Sequence, residues 1–267
     1  MNTIIKLSIM LCALSFQGLA QSGIATYKTA ASVNFSGDST LSHGQQAAMQ
    51  MQLRQALQRE YELKFNGSES SYKQIQSLDK KEVAQASDVM VRVAGGSSLT
   101  YKDTKKKRYL QNADLFGKPF LIDDELEALD WEITGEKKQI GKYECQQARY
   151  TREARMMQVD TENGQPKEVV TQVEVTAWFT MDIPVNHGPD DFWGLPGLIL
   201  EVNNGNSTII CSKILLNPQE KVVIEKPKGG KSITTEKFNE LQEEKLQEMM
   251  QQYNGNGEER RVIRIGG

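Results

Sequence analysis

The stretch Val169-Val170-Thr171-Gln172-Val173-Glu174-Val175-Thr176-Ala177-Trp178-Phe179-Thr180-Met181 decides the fold class. Val169, Thr171, Val173, Val175, Ala177, Phe179 and Met181 share one parity. Gln172, Glu174, Thr176 and Thr180 share the other, with Trp178 on that otherwise polar side. Alternation at period two is what a strand needs when one face is buried and the other wet, the usual state of an antiparallel sheet. A mainly β chain is expected.

Upstream, Gly141-Lys142-Tyr143-Glu144-Cys145 opens a long partner strand, and the loop Asp160 to Pro166 joins it to the first. An opening strand is expected from Gly23 to Phe35, and a helix from Ser42 to about Gln58, where Gln, Ala, Met and Leu dominate without Pro. Tyr61 to Phe65 reads as a strand ended by the turn Asn66-Gly67. Ser68 to Ser87 is polar and reads as a connection, and Val89–Val93 and Leu99–Leu110 read as short strands. Downstream, Leu198–Val202 and Ser207–Leu216 form a hairpin about Asn203-Asn204-Gly205-Asn206, and Lys221–Glu225 is a further short strand. A last helix starts at Thr234 or Thr235, with Phe238, Leu241, Leu246, Met249, Met250 and Tyr253 on one half of its circumference. The tail Arg260–Ile265 can add an edge strand. Together these predict a single domain built on a curved antiparallel sheet, with one helix after the first strand and one C-terminal helix. The β domain covers 21–225, and 226–267 packs on or flanks it.

Residues 1–20 read as a signal peptide: Lys6, the apolar run Leu7–Phe16, then Gly18-Leu19-Ala20 before the cleavage point. The run is too short to span a bilayer. Lipidation at Cys12 is disfavoured because Leu11 precedes it. Cleavage removes Lys6 and no acid, leaving 31 basic against 35 acidic residues, a net charge of −4. That balance offers no footprint for nucleic acid. Two cysteines remain, Cys145 and Cys211. In an oxidising compartment they can pair, and two small buried thiols are the equal alternative.

The segment Asn186-His187-Gly188-Pro189-Asp190-Asp191-Phe192-Trp193-Gly194-Leu195-Pro196-Gly197-Leu198-Ile199 leads into the Leu198 strand. Pro196-Gly197 suits the centre of a type II turn, with Gly197 taking positive φ. His187, Asp190 and Asp191, with Asp182 nearby, carry ligand-type donors, yet no spacing places them on one side of a metal; a solvated turn fits them better. Phe192 and Trp193 are either a core plug or a rigid contact platform, with the plug favoured. Paired methionines (Met49/Met51, Met156/Met157, Met249/Met250) fit packing better than copper. Lys105-Lys106-Lys107-Arg108 decorates a hairpin or edge. There is no Gly-x-Ser-x-Gly elbow and no Gly-rich nucleotide loop.

Several blocks in order resemble the GLPGLI family, exported proteins of Bacteroidetes-type bacteria. They are Gly23 to Tyr27; Trp131, Ile133, Ile140, Gly141, Tyr143, Cys145 and Ala148; Thr176 to Pro184; Gly188-Pro189; and the hexapeptide Gly194 to Ile199. Lys142, between Gly141 and Tyr143, departs from the pattern. The resemblance spans roughly residues 23–225 and implies a β-rich envelope protein, with no catalytic residue to carry over. The expected role is non-catalytic binding of a partner protein or a peptide or apolar ligand, in the periplasm or outside the cell, with or without association to the outer membrane. No cofactor, nucleic acid or transmembrane segment is expected. The alternatives are a metal-dependent hydrolase or metalloprotein using the His187/Asp190/Asp191 turn, and a lipid or outer-membrane cargo carrier.

Overall fold

The computed structural model of the chain describes residues 21–31, 44, 51, 58–75, 99–159, 166–205 and 207–254. Among them twelve strands form one sheet: β1 Gly23–Ala31, β2 Arg59–Phe65, β3 Glu69–Ile75, β4 Leu99–Asp103, β5 Arg108–Leu115, β6 Lys118–Glu125, β7 Glu132–Ile140, β8 Tyr143–Val159, β9 Pro166–Thr180, β10 Leu198–Asn203, β11 Ser207–Leu216 and β12 Lys231–Ile233. A C-terminal helix, α1, spans Thr235–Asn254. The chain is mainly β, as the alternation requires. The spatial order is β12-β6-β5-β4-β3-β2-β1-β11-β10-β9-β8-β7. Every neighbouring pair is antiparallel except β12 with β6. Two meanders, β1–β6 and β7–β11, are therefore sewn together by β1 against β11.

This order forces curvature. β6 and β7 lie ten strand spacings apart, ~48 Å in a flat sheet, yet only residues 126–131 join them. Seven Cα steps reach at most ~25 Å. The sheet must curl until its two margins approach each other. Inside the curl lies the main core: Ala25 and Tyr27 of β1, Leu63 and Phe65 of β2, Val175, Ala177 and Phe179 of β9, and Leu198, Leu200 and Val202 of β10, all buried. Each such side chain taken out of water stabilises by roughly 1.5–3 kcal/mol. Burial along β9 alternates as the sequence pattern requires as far as Phe179, but Thr180, expected on the wet face, is buried, and Met181 falls past the strand end and is exposed.

Other expectations are corrected. The polar segment after Asn66 is not a connection at its start, because Glu69–Ile75 forms β3, with Ser70, Ser71 and Tyr72 buried. Ser71 Oγ accepts Glu225 N–H at 3.3 Å, and Lys64 and Lys73 hold the Glu225 carboxylate at 3.5 and 2.8 Å, so the chain after β11 straps the outer face of β2 and β3. Lys221–Glu225 is that strap, not a strand. The strap delivers β12 to β6 in parallel register. Of the expected Ser42–Gln58 helix only Gly44 and Met51, both helical, and Gln58, which is not, are described. The Val89–Val93 strand and the Arg260–Ile265 strand lie outside the described residues.

α1 starts where its sequence signals do. Thr234 Oγ1 accepts Lys237 N–H at 3.4 Å, and the Asp124 carboxylate of β6 accepts Thr235 N–H at 2.9 Å, which holds that carboxyl below its usual range. Phe238 packs edge-on against Phe120, with centroids 5.7 Å apart. No helix among the described residues is long and apolar enough to cross a membrane.

Candidate functional site

Between β9 and β10 the chain from residue 181 to 197 turns back into the curl and fills it. The loop ties itself down through backbone bonds: Leu198 N–H to Ile183 O at 2.9 Å, Ile199 N–H to His187 O at 3.0 Å, and Gly194 N–H to Asn186 O at 3.1 Å. Ile183, Val185, Phe192 and Leu195 join the main core. Phe192 is 1% exposed, the plug and not the platform. Trp193 is half-buried; its indole N–H donates to Glu127 O at 2.9 Å, and the Trp131 indole N–H donates to Trp193 O at 2.8 Å. Those two bonds pin the plug to the short β6–β7 connection.

The strongest tether comes from the opposite wall. Lys102 of β4 is 1% exposed, and its ammonium donates to the carbonyls of Gly188 and Phe192, both at 3.0 Å, and of Asp190. An ammonium has three donors and here meets three acceptors, so no hydrogen-bonding capacity is left over. Burial nevertheless pulls it down to about 8, with the charges of Asp191 and Asp190 opposing.

Gly197 differs from its expected role. Its φ is not positive; the left-handed glycine of the loop is Gly194, at φ 93°. Gly197 is there for close approach, because a Cβ would overlap Thr180 O and stand 2.6 Å from its carbonyl carbon. Gly188 is similarly confined, since a Cβ would meet Ile199 at 2.7 Å and Phe192 O at 2.8 Å. Pro189 is buried and Pro196 exposed.

His187 is fully buried. Its Nε2–H donates to Asn66 O at 2.9 Å, which fixes the tautomer and leaves Nδ1 buried without a partner. Burial, reinforced by the nearby Lys102 charge, pulls the imidazole down to about 4. A neutral, sealed ring is a strut. Its folded value lies below the ordinary ~6.5, so the unfolded chain binds more protons between these values, and stability falls as pH drops from 6.5 to 4. The loss attributable to His187 should be about 3 kcal/mol by pH 4. His187→Gln, which keeps a donor for Asn66 O, should lack that component when urea midpoints at pH 4.5 and 7 are compared with those of the native chain. Equal losses in both proteins would refute the assignment. Titration of Asp190 runs oppositely in this range, and it cancels between the two proteins.

The acids divide. Asp191 pairs with Arg152 at 3.5 Å, both partly exposed, and Arg152 lies 5.7 Å over the Phe192 ring. Asp182 is exposed and apart. Asp190 is half-buried and holds a left-handed backbone, φ 49°, and among the described residues its carboxylate has no hydrogen bond or ion pair. Burial and the adjacent Asp191 push it up to about 7. Its charge reaches tyrosines of three strands, Tyr61 of β2, Tyr72 of β3 and Tyr109 of β5. Tyr61 stacks on Tyr72 with centroids 4.8 Å apart. Burial raises Tyr61, Tyr72 and Tyr109, and the charge of Asp190 raises each further; Tyr150 of β8 is pushed up to about 12 by burial and then Asp191. Tyr72 OH is buried and has no hydrogen-bond partner among the described residues.

Among the described residues no three His, Cys, Asp or Glu side chains converge as a metal site. Cys145, buried, and Cys211, half-buried, are free thiols, raised by burial to about 11 and about 12. The sequence pointed to Asp190 but not to Lys102 or the tyrosines. Those come from separate strands, and only the register brings them together.

The architecture is thus a curled sheet filled by an internal plug that carries the half-buried Asp190. The family model described as "Protein of unknown function (Porph_ging)" matches residues 131–201, which covers β7 to the first part of β10 and the whole plug. That family is uncharacterised. No curated protein matches the sequence. Two solved structures of PNGF-II, in space groups C2 and P21, align with 83% of this chain at 14% identity and TM-scores of 0.45 and 0.47. The chain spans 32% and 33% of their length. At that distance neither activity nor site is carried across.

Proposed function

We propose that the chain is an exported, non-catalytic binding protein that receives a cationic side chain of a peptide or partner protein at Asp190. Export rests on the reading of residues 1–20, and the envelope setting on the GLPGLI resemblance. One observation supports the binding reading above others: a half-buried carboxylate with no hydrogen bond or ion pair among the described residues, whose charge reaches Tyr61, Tyr72 and Tyr109, with the Tyr72 hydroxyl itself buried and unpartnered among the described residues. Aromatic faces and a carboxylate together suit a guanidinium or ammonium group. Lys102 and Arg152 attract the Asp190 carboxylate through their charge, but the hydrogen bonds of Lys102 go to three carbonyls and Arg152 pairs with Asp191, so the carboxylate oxygens keep their acceptor capacity. A hydrolase built on His187 lacks support, because that ring is sealed and its only outward-capable nitrogen is buried.

The test is calorimetric titration with a Gly-Arg repeat peptide and its Gly-citrulline counterpart. The arginine peptide should bind and the citrulline peptide should bind at least tenfold more weakly. Asp190→Asn should cost about 10- to 100-fold, the worth of one charged hydrogen bond. Because the carboxyl titrates at about 7, affinity should rise from pH 6 to pH 8 in the native chain and stay flat in the variant. Indifference to Asp190→Asn would sink the proposal.

A further inference from the structure

A second site lies on the other flank of the sheet. At the β5–β6 hairpin, Leu115, Phe120 and Phe238 form a small separate core, with Ile233 of β12 and Leu241 of α1 packed against it. Beside it runs a groove of about 370 Å³, whose apolar walls are Leu115, Phe116, Phe120, Ile233 and Leu241. Among the described residues its polar rim is basic, formed by Lys118, Lys231 and Lys245. Lys245 is held by Glu248 on its own helix at 2.7 Å. Lys118 and Lys231 are exposed and make no ion pair among the described residues.

Phe116 is the telling residue. The hairpin turns through Phe116 and Gly117, at φ 52° and 82°, between the paired Leu115 and Lys118. Two positive φ values in a two-residue turn call for Asn, Asp or Gly at the first position. A phenylalanine there is strained, and the residue is 54% exposed and outside the small core beside it. Asp114 stabilises the turn by accepting Gly117 N–H at 2.8 Å, so the aromatic is held at the groove mouth by a defined structure.

We propose that this groove holds the acyl chain of a single-chain amphiphile whose anionic headgroup sits on Lys118 and Lys231, with Phe116 flanking the chain. Apolar walls supply the affinity of each buried methylene, and the exposed Lys118 and Lys231 supply the sign of the headgroup. The size of the groove lies in the range of small-ligand sites. The site is remote from Asp190, and neither proposal depends on the other.

The experiment uses the full mature chain and the fluorescent fatty acid cis-parinaric acid, whose emission rises in an apolar site. Competitors of equal length are dodecanoate, dodecyl phosphate, dodecanol and dodecyltrimethylammonium, all below their micelle concentrations. Dodecanoate or dodecyl phosphate should displace the probe, and dodecyltrimethylammonium should be weaker by about tenfold or more. Whichever anion is stronger identifies a carboxylate or a phosphate source. The double variant Lys118→Glu/Lys231→Glu, both exposed positions, should keep its melting temperature and reverse that order, and Leu241→Gln should weaken every chain. Equal affinity for anionic and cationic amphiphiles overturns the proposal. So does an unchanged order in the double variant, or binding seen only with phosphatidylglycerol vesicles and never with monomeric amphiphile.

Discussion

Lys102→Met is expected to lower stability by about 3 kcal/mol or more at pH 7, measured as the shift in urea midpoint multiplied by the slope. The substitution keeps the length and apolar stem of the side chain and removes only its three donors. The carbonyls of Gly188, Asp190 and Phe192 then face a thioether deep inside the curl. Each buried carbonyl left unpaired costs about 1–3 kcal/mol. One effect runs the other way: burial already disfavours the charged amine, as its fall to about 8 shows, and methionine escapes that cost. Three acceptors against one donor group make the loss the larger effect. An unchanged midpoint would mean that the plug stands without its clamp. Lys102→Arg should not rescue, because a planar fork cannot match three converging carbonyls.

Gly197→Ala should be equally severe, at about 3 kcal/mol or more, or should leave no soluble folded protein. The added methyl would overlap Thr180 O, a backbone atom at the end of β9 that has no rotamer through which to retreat. Relief requires the plug to move away from β9, which pulls on the Leu198 to Ile183 bond and on the core residues next to it. Gly194→Ala is the control. Its φ is 93° and its surroundings are open, so backbone strain alone should cost about 1–2 kcal/mol. If Gly194→Ala proves the worse of the two, the plug is set by turn conformation after all and not by close approach.

Local order was readable where each element carries its own signal. β9 announces itself through Val175, Ala177 and Phe179 and α1 through Thr234, whereas the stretch read as strand over Leu99–Leu110 is broken by a turn at 104–107 into β4 and β5. β3 was not readable, because Ser71 is buried beneath the strap that crosses it and Ser70 beside Phe65, and neither by any apolar character of its own. Gly197 was singled out correctly and for the wrong reason: glycine in sequence marks a demand on the backbone without saying whether the demand is φ or space. The Asp190 surroundings were half legible. Acids in a Gly/Pro-rich segment draw notice, whereas Tyr61, Tyr72, Tyr109 and Tyr150 sit on different strands and converge only through pairings such as Leu63 with Tyr72 and Lys102 with Tyr109.

The seam between the two meanders also sets how the chain must fold. Residue 23 pairs with 216 and residue 31 with 207, so the central join of the sheet has the longest sequence separation of any strand pair. Each meander can zip locally, but β1 presents an unpaired edge until β11 exists to cover it. High contact order of this kind slows folding and lengthens the life of an open strand edge. Refolding should therefore be limited by the meeting of β1 with β11. Truncation before residue 207 should yield a chain that associates through β1 with copies of itself.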